Sequence, residues 1–302
     1  NIVEKYVYNI VKRNPRLKVL IRNIYQRFFD IFSRDLSVLP DNAKIIENAF
    51  HGFHDTTPVK NDLFLHIVAP ETLAMPRPEQ EAVILVRDCE DSVIFSTTTK
   101  SFNYHKGARQ QWLDERRFIY NDFSLMAISR ICDVELGIVD TLPFQVDSFC
   151  PVNQYLSSFN YERLEYAMPG YGYINSSLED ARTHDDKEGI VLYDLEGTFV
   201  DEITISNVLS LPQSNITNRG FHFFTHSQFS KCGTFLSFLH RCVESDITKR
   251  KTQLVVYDIA AKEIHIPATT GMVSHYCWSK SNDILMYAAV DDRVGHCFLS
   301  LP

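Results

Sequence analysis

Histidine side chains recur shortly before repeated strand pairs in this chain of 302 residues. His222 and His226 precede one strand pair, and His275 precedes another. Neutral imidazoles ligate divalent cations and act as general bases near neutral pH. These three histidines, with Gln110 supplying an amide oxygen, are therefore the predicted ligands of a divalent metal such as Mn²⁺ or Ca²⁺.

The spacing of His222 and His226 argues against this metal site. In an unbroken extended strand the two side chains share a face but lie roughly 13 Å apart, so one ion could join them only if the strand bulged. The alternative is that these imidazoles hydrogen-bond to neighbouring strands, as buried polar groups must. For His226, which alternates with Phe224 and Phe229, this structural interpretation is favoured.

A loop with two glycines carries the second group of candidate residues. Arg163 lies at its start and Tyr171 and Tyr173 at its end. A guanidinium group can bind a carboxylate through two hydrogen bonds, and aromatic rings can pack on a sugar ring, so the loop suits an anionic sugar. Alternatively, Arg163 pairs with Glu162 or Glu165. The full set of predicted substrate-binding residues is His54, Asp55, Arg109, Gln111, Tyr171, Tyr173 and Arg241.

If the site were a lyase, its chemistry would be removal of the proton next to a uronate carboxylate. His222 or His275 would then be the base, and Arg163 or a metal would stabilise the enolate. Other catalytic signatures are missing from the sequence, including the G-x-S-x-G elbow, the phosphate-binding loop and H-E-x-x-H.

Repeated hairpins position these residues. Each has an aromatic or small residue, a polar turn of about five residues and an apolar strand, as in Trp278-SKSND-ILMYAA. The five repeats start at residues 57, 112, 150, 229 and 278. A second type of hairpin follows several of them, at residues 83–96, 190–205 and 254–266. Together the two hairpins predict four-stranded units.

The intervals between the five hairpin starts are 55, 38, 79 and 49 residues. They bracket the period of about 40–50 residues that is typical of propeller blades. We therefore predict an all-β fold, a β-propeller of five or more four-stranded blades over residues 39–302, with loop insertions near 160–188 and 206–221. Because the last hairpin leaves little room for outer strands, we expect the propeller to be incomplete at its C-terminus, unless the first strands near residues 40–50 complete a blade.

Residues 1–38 differ from the rest and predict a basic amphipathic helical segment that Pro15 divides into two helices. Residues 1–35 carry eight Lys/Arg and three Asp/Glu, within a chain of net charge −8. The segment could contact an anionic membrane surface or a protein partner, or pack on the main domain. The remaining chain is acidic and should not bind nucleic acid.

Seven cysteines without a C-x-x-C pair argue against a disulfide framework, and no apolar run is long enough to span a membrane. We expect a cytoplasmic protein, and a peripheral position at the inner surface of the membrane is the alternative that the basic segment allows. The chain begins with Asn1, so we also expect an upstream piece.

Several stretches carry a family resemblance, among them GFHDTTP (52–58), NYERLEYAMPGYGY (160–173) and HFFTHSQFSKCGTFLSFLHR (222–241). The Ser230-Lys-Cys-Gly233 turn resembles that of TolB-like propeller repeats. The longer stretches are similar to oligogalacturonate-lyase-like propellers associated with bacterial surface-polysaccharide genes. The resemblance implies a carbohydrate-directed propeller, lyase-like or not, that acts on an acidic oligosaccharide or polysaccharide precursor. The alternative is a non-catalytic scaffold that binds protein partners, since propellers support both functions.

Overall fold

The computed structural model describes residues 15–31, 43, 45–70, 76–174, 187–244, 250–291 and 293–301. The chain divides into two compact units, residues 1–46 and 47–302. The predicted boundary after residue 38 lies outside the described residues.

Helix α1 (Pro15–Asp30) is the element described in the first unit. Pro15 occupies its first position, where the missing amide hydrogen has no helical partner and the fixed φ suits a helix. The helix predicted before Pro15 lies outside the described residues. Within the part of the chain that is described, no helix combines the length and hydrophobicity needed to cross a bilayer.

The second unit consists of successive antiparallel sheets, here called blades 1 to 5. Blade 1 has β1 (Ala49–Phe50), β2 (Val59–Lys60), β3 (Leu63–Val68), β4 (Ala82–Arg87) and β5 (Val93–Thr99). Blade 2 has β6 (Gln111–Trp112), β7 (Arg117–Phe123), β8 (Ala127–Asp133) and β9 (Gly137–Leu142). Blade 3 has β10 (Ser148–Cys150), β11 (Tyr155–Ser158), β12 (Gly189–Tyr193) and β13 (Phe199–Thr204). Blade 4 has β14 (Phe221–Phe229), β15 (Phe235–Val243), β16 (Arg250–Asp258) and β17 (Glu263–His265). Blade 5 has β18 (Val273–Trp278), β19 (Ile284–Val290) and β20 (Arg293–Leu299).

Each blade is a meander in which consecutive strands pair in sequence order, with one exception in blade 1. There, β1 and β2 both pair with β3, at its opposite ends: Phe50 lies opposite Ile67, and Lys60 lies opposite Leu63. The first strand of blade 1 is therefore interrupted by residues 51–58. Blade 5 has three described strands, whereas blades 2, 3 and 4 have four each.

The turns of the repeated hairpins explain why the polar stretches reverse the chain. Asn61, Gln154, Gly233 and Asn282 each have a positive φ, between 51° and 77°. Glycine and asparagine adopt this conformation most readily, so three of the four turns use a favoured residue.

Buried apolar side chains join each blade to the next. One pair from each interface illustrates this: Leu65 with Phe118, Ile119 with Leu156, Ile190 with Phe238, and Leu239 with Ile284. Among the described residues no such cluster joins blade 5 to blade 1, so the ring is open there. Successive four-stranded meanders packed face to face form a β-propeller, which confirms the predicted fold class.

Two short helices lie in the predicted insertions, α2 (Tyr161–Ala167) after β11 and α3 (Ile205–Leu209) after β13. The chain folds back sharply after α2. The Glu165 carboxylate accepts hydrogen bonds from the amides of Gly170 and Gly172 at 2.9–3.0 Å. A Cβ on Gly172 would lie 2.1 Å from the Tyr161 carbonyl oxygen, so this residue must be glycine. The fold-back sets the position of Tyr171.

Candidate functional site

Irregularities in the first strands of several blades place polar residues near the propeller axis. Arg109, just before β6, has φ 53°, and His226, within β14, has φ 57°. The register of β14 shifts between Thr225 and Gln228, so the bulge that the sequence left open is present. Bulges re-aim side chains and are frequent beside functional sites.

A buried ionic cluster links blades 2, 3 and 4. Asp147, immediately before β10, accepts hydrogen bonds from Lys106 Nζ and Tyr161 Oη, both at 2.6 Å. Its other carboxylate oxygen accepts from the amide and hydroxyl of Ser227 at 2.8 and 2.6 Å. Arg109 Nε lies 3.3 Å from the carboxylate and donates to the Asp147 carbonyl oxygen at 2.6 Å. This cluster, Asp147 with Lys106, Arg109, Tyr161 and Ser227, is called the axial cluster below.

The segment that interrupts blade 1 contributes Asp55, the second carboxylate of this buried group of charges. Asp55 receives two hydrogen bonds from the Arg109 guanidinium, at 2.8 and 2.9 Å. The four charged side chains, Asp55, Lys106, Arg109 and Asp147, are at most 4% exposed. Two buried cations therefore face two buried carboxylates, which avoids an unpaired charge in the interior.

These ion pairs oppose the effect of burial on the pKa values of the charged groups. Burial would raise the pKa of Asp147, but Lys106 and Arg109 oppose it and hold that pKa far below its ordinary value. Burial lowers the pKa of Lys106, because the ammonium group loses its hydration, and Asp147 counteracts this. The axial cluster therefore joins blades 2, 3 and 4, and each of its charges already has a partner.

A cavity of about 260 Å³ adjoins the axial cluster, and every blade contributes to its wall. The predicted residues His54, Asp55, Arg109 and Gln111 all line it. The other blades add Ser148, Phe149, Ser227, Gln228, Cys277 and Trp278. The structure thus brings together four of the seven predicted substrate-binding residues around one space. His275 is close to this group, since its ring centroid lies 6.2 Å from that of His54.

Tyr171 lies in a second group of residues near the axis. Its ring stacks on His105 with centroids 4.1 Å apart and lies 6.0 Å from the ring of His226. The Asn103 side chain donates hydrogen bonds to the carbonyl oxygens of Tyr171 and Gly172, which holds the loop in place.

Arg241, on β15, has a buried guanidinium group and is 7% exposed. Its Nη1 donates to Met168 Sδ at 3.2 Å, and its Nε has no hydrogen-bond partner among the described residues. No acidic side chain in this part of the chain pairs with it. Burial lowers the pKa of Arg241 to about 10, and the nearby charge of Arg250 adds to this effect.

We call Arg241, Arg250, Tyr171, His226 and Met168 the arginine site. Arg250 is exposed and begins β16, beside the strand that carries Arg241. The positive charges of Arg241 and Arg250 repel each other. Burial, with the nearby charges of Lys106 and Arg241, keeps the pKa of His226 well below its ordinary value. The site therefore has excess positive charge and suits an anion.

His226 is the histidine of this site. Its Nδ1 lies 2.8 Å from Thr225 Oγ1, and its carbonyl oxygen accepts a hydrogen bond from Tyr276. A non-glycine residue with positive φ is uncommon and strained, and such residues cluster at functional sites. The low pKa means that the imidazole is neutral at pH 7.

Tyr173 and Arg163 occupy the interior rather than a cavity wall. The Tyr173 hydroxyl accepts a hydrogen bond from Asn121 at 3.1 Å, and its ring stacks on Tyr161 at 4.5 Å. Arg163 donates through Nε to the His222 carbonyl oxygen at 2.7 Å and lies over the Phe221 ring. Both residues thereby support the loop.

His222 and His275 differ in accessibility. His222 is 2% exposed, and its Nδ1 lies 3.1 Å from Nε2 of His240. Gln253 donates to the other nitrogen of His240, so His240 donates to His222 and both rings are neutral. His275 is exposed and lies 2.7 Å from Ser274 Oγ. Of the two predicted bases, His275 is the one that a substrate could reach.

The four predicted metal ligands do not fit one site. Gln110 is committed to the backbone, because its amide donates to the His51 carbonyl and accepts from the Ala108 amide. His222 contacts His240, whereas His226 contacts Thr225. The described residues contain no group of three His, Cys, Asp or Glu side chains arranged for a metal. Binding of Mn²⁺ or Ca²⁺ stays a prediction.

Sequence reasoning missed Lys106, Asp147 and Ser227 of the axial cluster, and also Arg250. A lysine, an aspartate and a serine without a motif carry no signal of mutual contact, since 41 residues separate Lys106 from Asp147 and 80 separate Asp147 from Ser227. Position was the available clue, because Asp147 and Ser227 each lie within three residues of a predicted hairpin start.

Comparisons with known proteins give similarity in structure but not in sequence. No protein family matches the chain, and no curated protein is similar to it in sequence. Solved structures with a similar arrangement include hydrazine synthase of Kuenenia stuttgartiensis, with 8% identity and a TM-score of 0.44, over 75% of this chain and 58% of that one. The Dos1 propeller has 9% identity and a TM-score of 0.40, over 79% and 56%.

The β-propeller domain of the Trilobed protease from Pyrococcus furiosus has 8% identity and a TM-score of 0.40, over 79% of this chain and 68% of that one. This chain thus spans somewhat over half the length of the first two structures. The assignment as a β-propeller rests on the five blades and the way in which they pack.

Proposed function

We propose that this β-propeller binds an acidic saccharide, as an oligosaccharide or polysaccharide precursor, at the arginine site. One observation carries the proposal: Arg241 is a buried cation whose Nε has no acceptor among the described residues and whose neighbouring charge is another arginine. A carboxylate at this point would supply the missing acceptor and the missing negative charge.

A bound carboxylate would be stabilised by Arg241, because this buried arginine has no acidic partner among the described residues. A buried charge without a partner is costly, and a hydrogen bond between charged groups contributes about 1.5–3 kcal/mol. A guanidinium group can form two such bonds to one carboxylate. Tyr171, half-buried beside it, offers an aromatic ring for the apolar side of a sugar.

The cavity beside the axial cluster, here called the axial cavity, is less suited to an anion than the arginine site is. Its arginine, Arg109, already binds Asp55 and Asp147, so an acidic ligand would have to displace a carboxylate. Neutral hydroxyl groups of the same saccharide fit this polar cavity better, where His54 and Gln111 can exchange hydrogen bonds with them.

A lyase-like reaction would add one step to binding. A base removes the proton at C5 of the uronate, those electrons form the C4–C5 double bond, and the oxygen at C4 leaves and gains a proton. His275 is exposed beside His54 and is therefore the candidate base. His222 and His226 are both buried, so a base role for either is not favoured.

The test is titration calorimetry with galacturonate and glucuronate oligosaccharides, with a neutral glucose oligosaccharide of equal length as control. We expect the acidic ligands to bind and Arg241→Ala to weaken binding by about ten-fold or more, which is the loss of one charged hydrogen bond. Arg241→Lys should retain part of the affinity. Arg219→Ala, at an exposed arginine, is the matched control and should bind like the unaltered protein.

Equal affinity for acidic and neutral ligands, or no effect of Arg241→Ala, would contradict the proposal. Ultraviolet absorbance of an unsaturated product in the same samples separates cleavage from binding. If no acidic saccharide binds, the alternative of a scaffold for protein partners gains weight.

A further inference from the structure

Helix α1 carries a face of largely exposed apolar side chains. Six large apolar side chains on this helix are between 44% and 63% exposed: Leu20, Ile21, Ile24, Tyr25, Phe28 and Phe29. Leu20, Ile24 and Phe28 follow at four-residue spacing, so they form one stripe along the helix. Two aromatic contacts, Tyr25–Phe29 at 4.5 Å and Phe28–Phe29 at 5.6 Å, hold the rings together at its C-terminal end.

The charges of the helix lie on either side of this stripe. At 100° per residue, Arg16 and Arg27 fall beside the Leu20 edge of the apolar face, and Arg22 falls just beyond Phe29 at the other edge. Lys18 falls between Tyr25 and Phe29. The single acidic residue, Asp30, is at the last position. The helix therefore presents an apolar stripe between two rows of cationic positions.

We propose that α1 lies in the interface of an anionic lipid bilayer, with the Leu20–Ile24–Phe28 stripe facing the acyl chains. Interfacial helices combine basic residues with aromatic and aliphatic residues on the opposite face, as this one does. A helix of 16 residues with four basic residues does not meet the requirements of a bilayer span, and it is not one.

Charge complementarity favours a lipid surface over a protein partner. Residues 1–35 contain eight Lys/Arg against three Asp/Glu, whereas the chain as a whole has net charge −8. The acidic remainder is repelled by an anionic surface, so attraction must come from this segment. Phosphate headgroups attract cations on both sides of the stripe at once, and each cation near such a surface contributes about a five-fold gain in partitioning.

The experiment is co-sedimentation of the full chain with protein-free vesicles of phosphatidylcholine alone or with phosphatidylglycerol. We expect binding to the anionic vesicles that weakens as salt increases, and little binding to the neutral ones. The variant Ile24→Glu/Phe28→Glu should lose about ten-fold or more, since the apolar side chains leave the interface. Arg22→Gln/Arg27→Gln should lose binding to anionic vesicles only.

Leu125→Glu is the matched control, because Leu125 is a 98% exposed apolar residue of the propeller. It should bind vesicles like the unaltered chain. Equal binding to both vesicle types, no binding to either, or equal losses in Leu125→Glu and in the helix variant would overturn the proposal. The helix variants should retain saccharide binding, so this proposal and the function proposed for the arginine site can fail separately.

Discussion

Arg109 and Asp55 form a two-pronged ion pair between blades 1 and 2, with both nitrogen–oxygen distances below 3 Å. The residues are 54 positions apart in the chain, and the pair is buried. Through Arg109 the pair continues to Asp147 and so to blades 3 and 4. The first described blade is thus tied to the others by charge as well as by apolar packing.

Asp147→Asn should destabilise the propeller strongly. The substitution preserves shape but removes the carboxylate that Lys106 and Arg109 share, which leaves excess positive charge in the interior. We expect the free energy of unfolding to fall by about 3–5 kcal/mol, as for other broken buried ion pairs. Urea denaturation monitored by tryptophan fluorescence measures this change.

Asp140→Asn is the matched control for this variant, because Asp140 is exposed. It should change the stability by less than about 0.5 kcal/mol. Ser227→Ala, which removes one hydrogen bond to Asp147, should cost about 1 kcal/mol and gives a measurable value even if Asp147→Asn does not fold. Equal midpoints for all three variants would show that the cluster does not hold the blades together.

The stability of the protein should decrease as pH falls from 7 to 5. Burial lowers the pKa of His240 to about 3 and that of His226 well below its ordinary value. The unfolded chain, with histidine pKa values near 6.5, then binds more protons than the folded chain, so acid favours unfolding. His240 should contribute a loss of about 2 kcal/mol over this range, and His226 acts in the same direction.

His51, His66 and His105 have pKa values lowered mainly by burial and act in the same direction. Chemical denaturation at several pH values measures the slope. His240→Gln should make the slope shallower by the share of one histidine. A slope in His240→Gln equal to that of the unaltered protein would refute the assignment.

Arg241→Met should stabilise the protein while it weakens binding of acidic ligands by about ten-fold or more. Methionine fills much of the same volume and removes a buried charge that lacks a partner among the described residues. Replacing such charges by apolar residues can be neutral or stabilising, and we expect a gain of about 1 kcal/mol. Thermal and urea denaturation, combined with calorimetry of uronate binding, test both parts.

Arg163→Met provides the contrast. Arg163 donates to the His222 carbonyl and packs on the Phe221 ring, so its removal should destabilise by about 1–3 kcal/mol. If Arg241→Met proves as destabilising as Arg163→Met, Arg241 serves the fold and not a ligand.

Gly172→Ala should disrupt the loop that carries Tyr171. The added Cβ would meet the Tyr161 carbonyl oxygen at 2.1 Å and the Glu165 amide at 2.5 Å, both backbone atoms that cannot move aside. We expect a loss of about 3 kcal/mol or more, together with weaker uronate binding. Gly295→Ala is the control, because a Cβ there has no atom within 4 Å, and a stability similar to that of Gly172→Ala would be the contrary result.

Local patterns were sufficient to predict the blades. Polar turns with Asn61, Gly233 and Asn282, each followed by an apolar strand, specify hairpins through interactions between residues close in the chain. Because the hairpins repeat around a propeller, residues at the same position before each of them lie near one axis. His54, Asp55, Arg109 and Gln111 do meet at the axial cavity, as this reasoning requires.

Contacts between blades lay beyond the reach of the sequence. Whether His222 faces a ligand or His240, and whether Arg241 has an acid beside it, depends on how sheets distant in the chain are packed against each other. A residue type shows what a side chain can bind, but the burial and the neighbours that set its charge and accessibility arise from the assembled propeller. The hairpins and their order are thus encoded locally, while the axial cluster and the buried environment of Arg241 exist only once the blades surround a common axis.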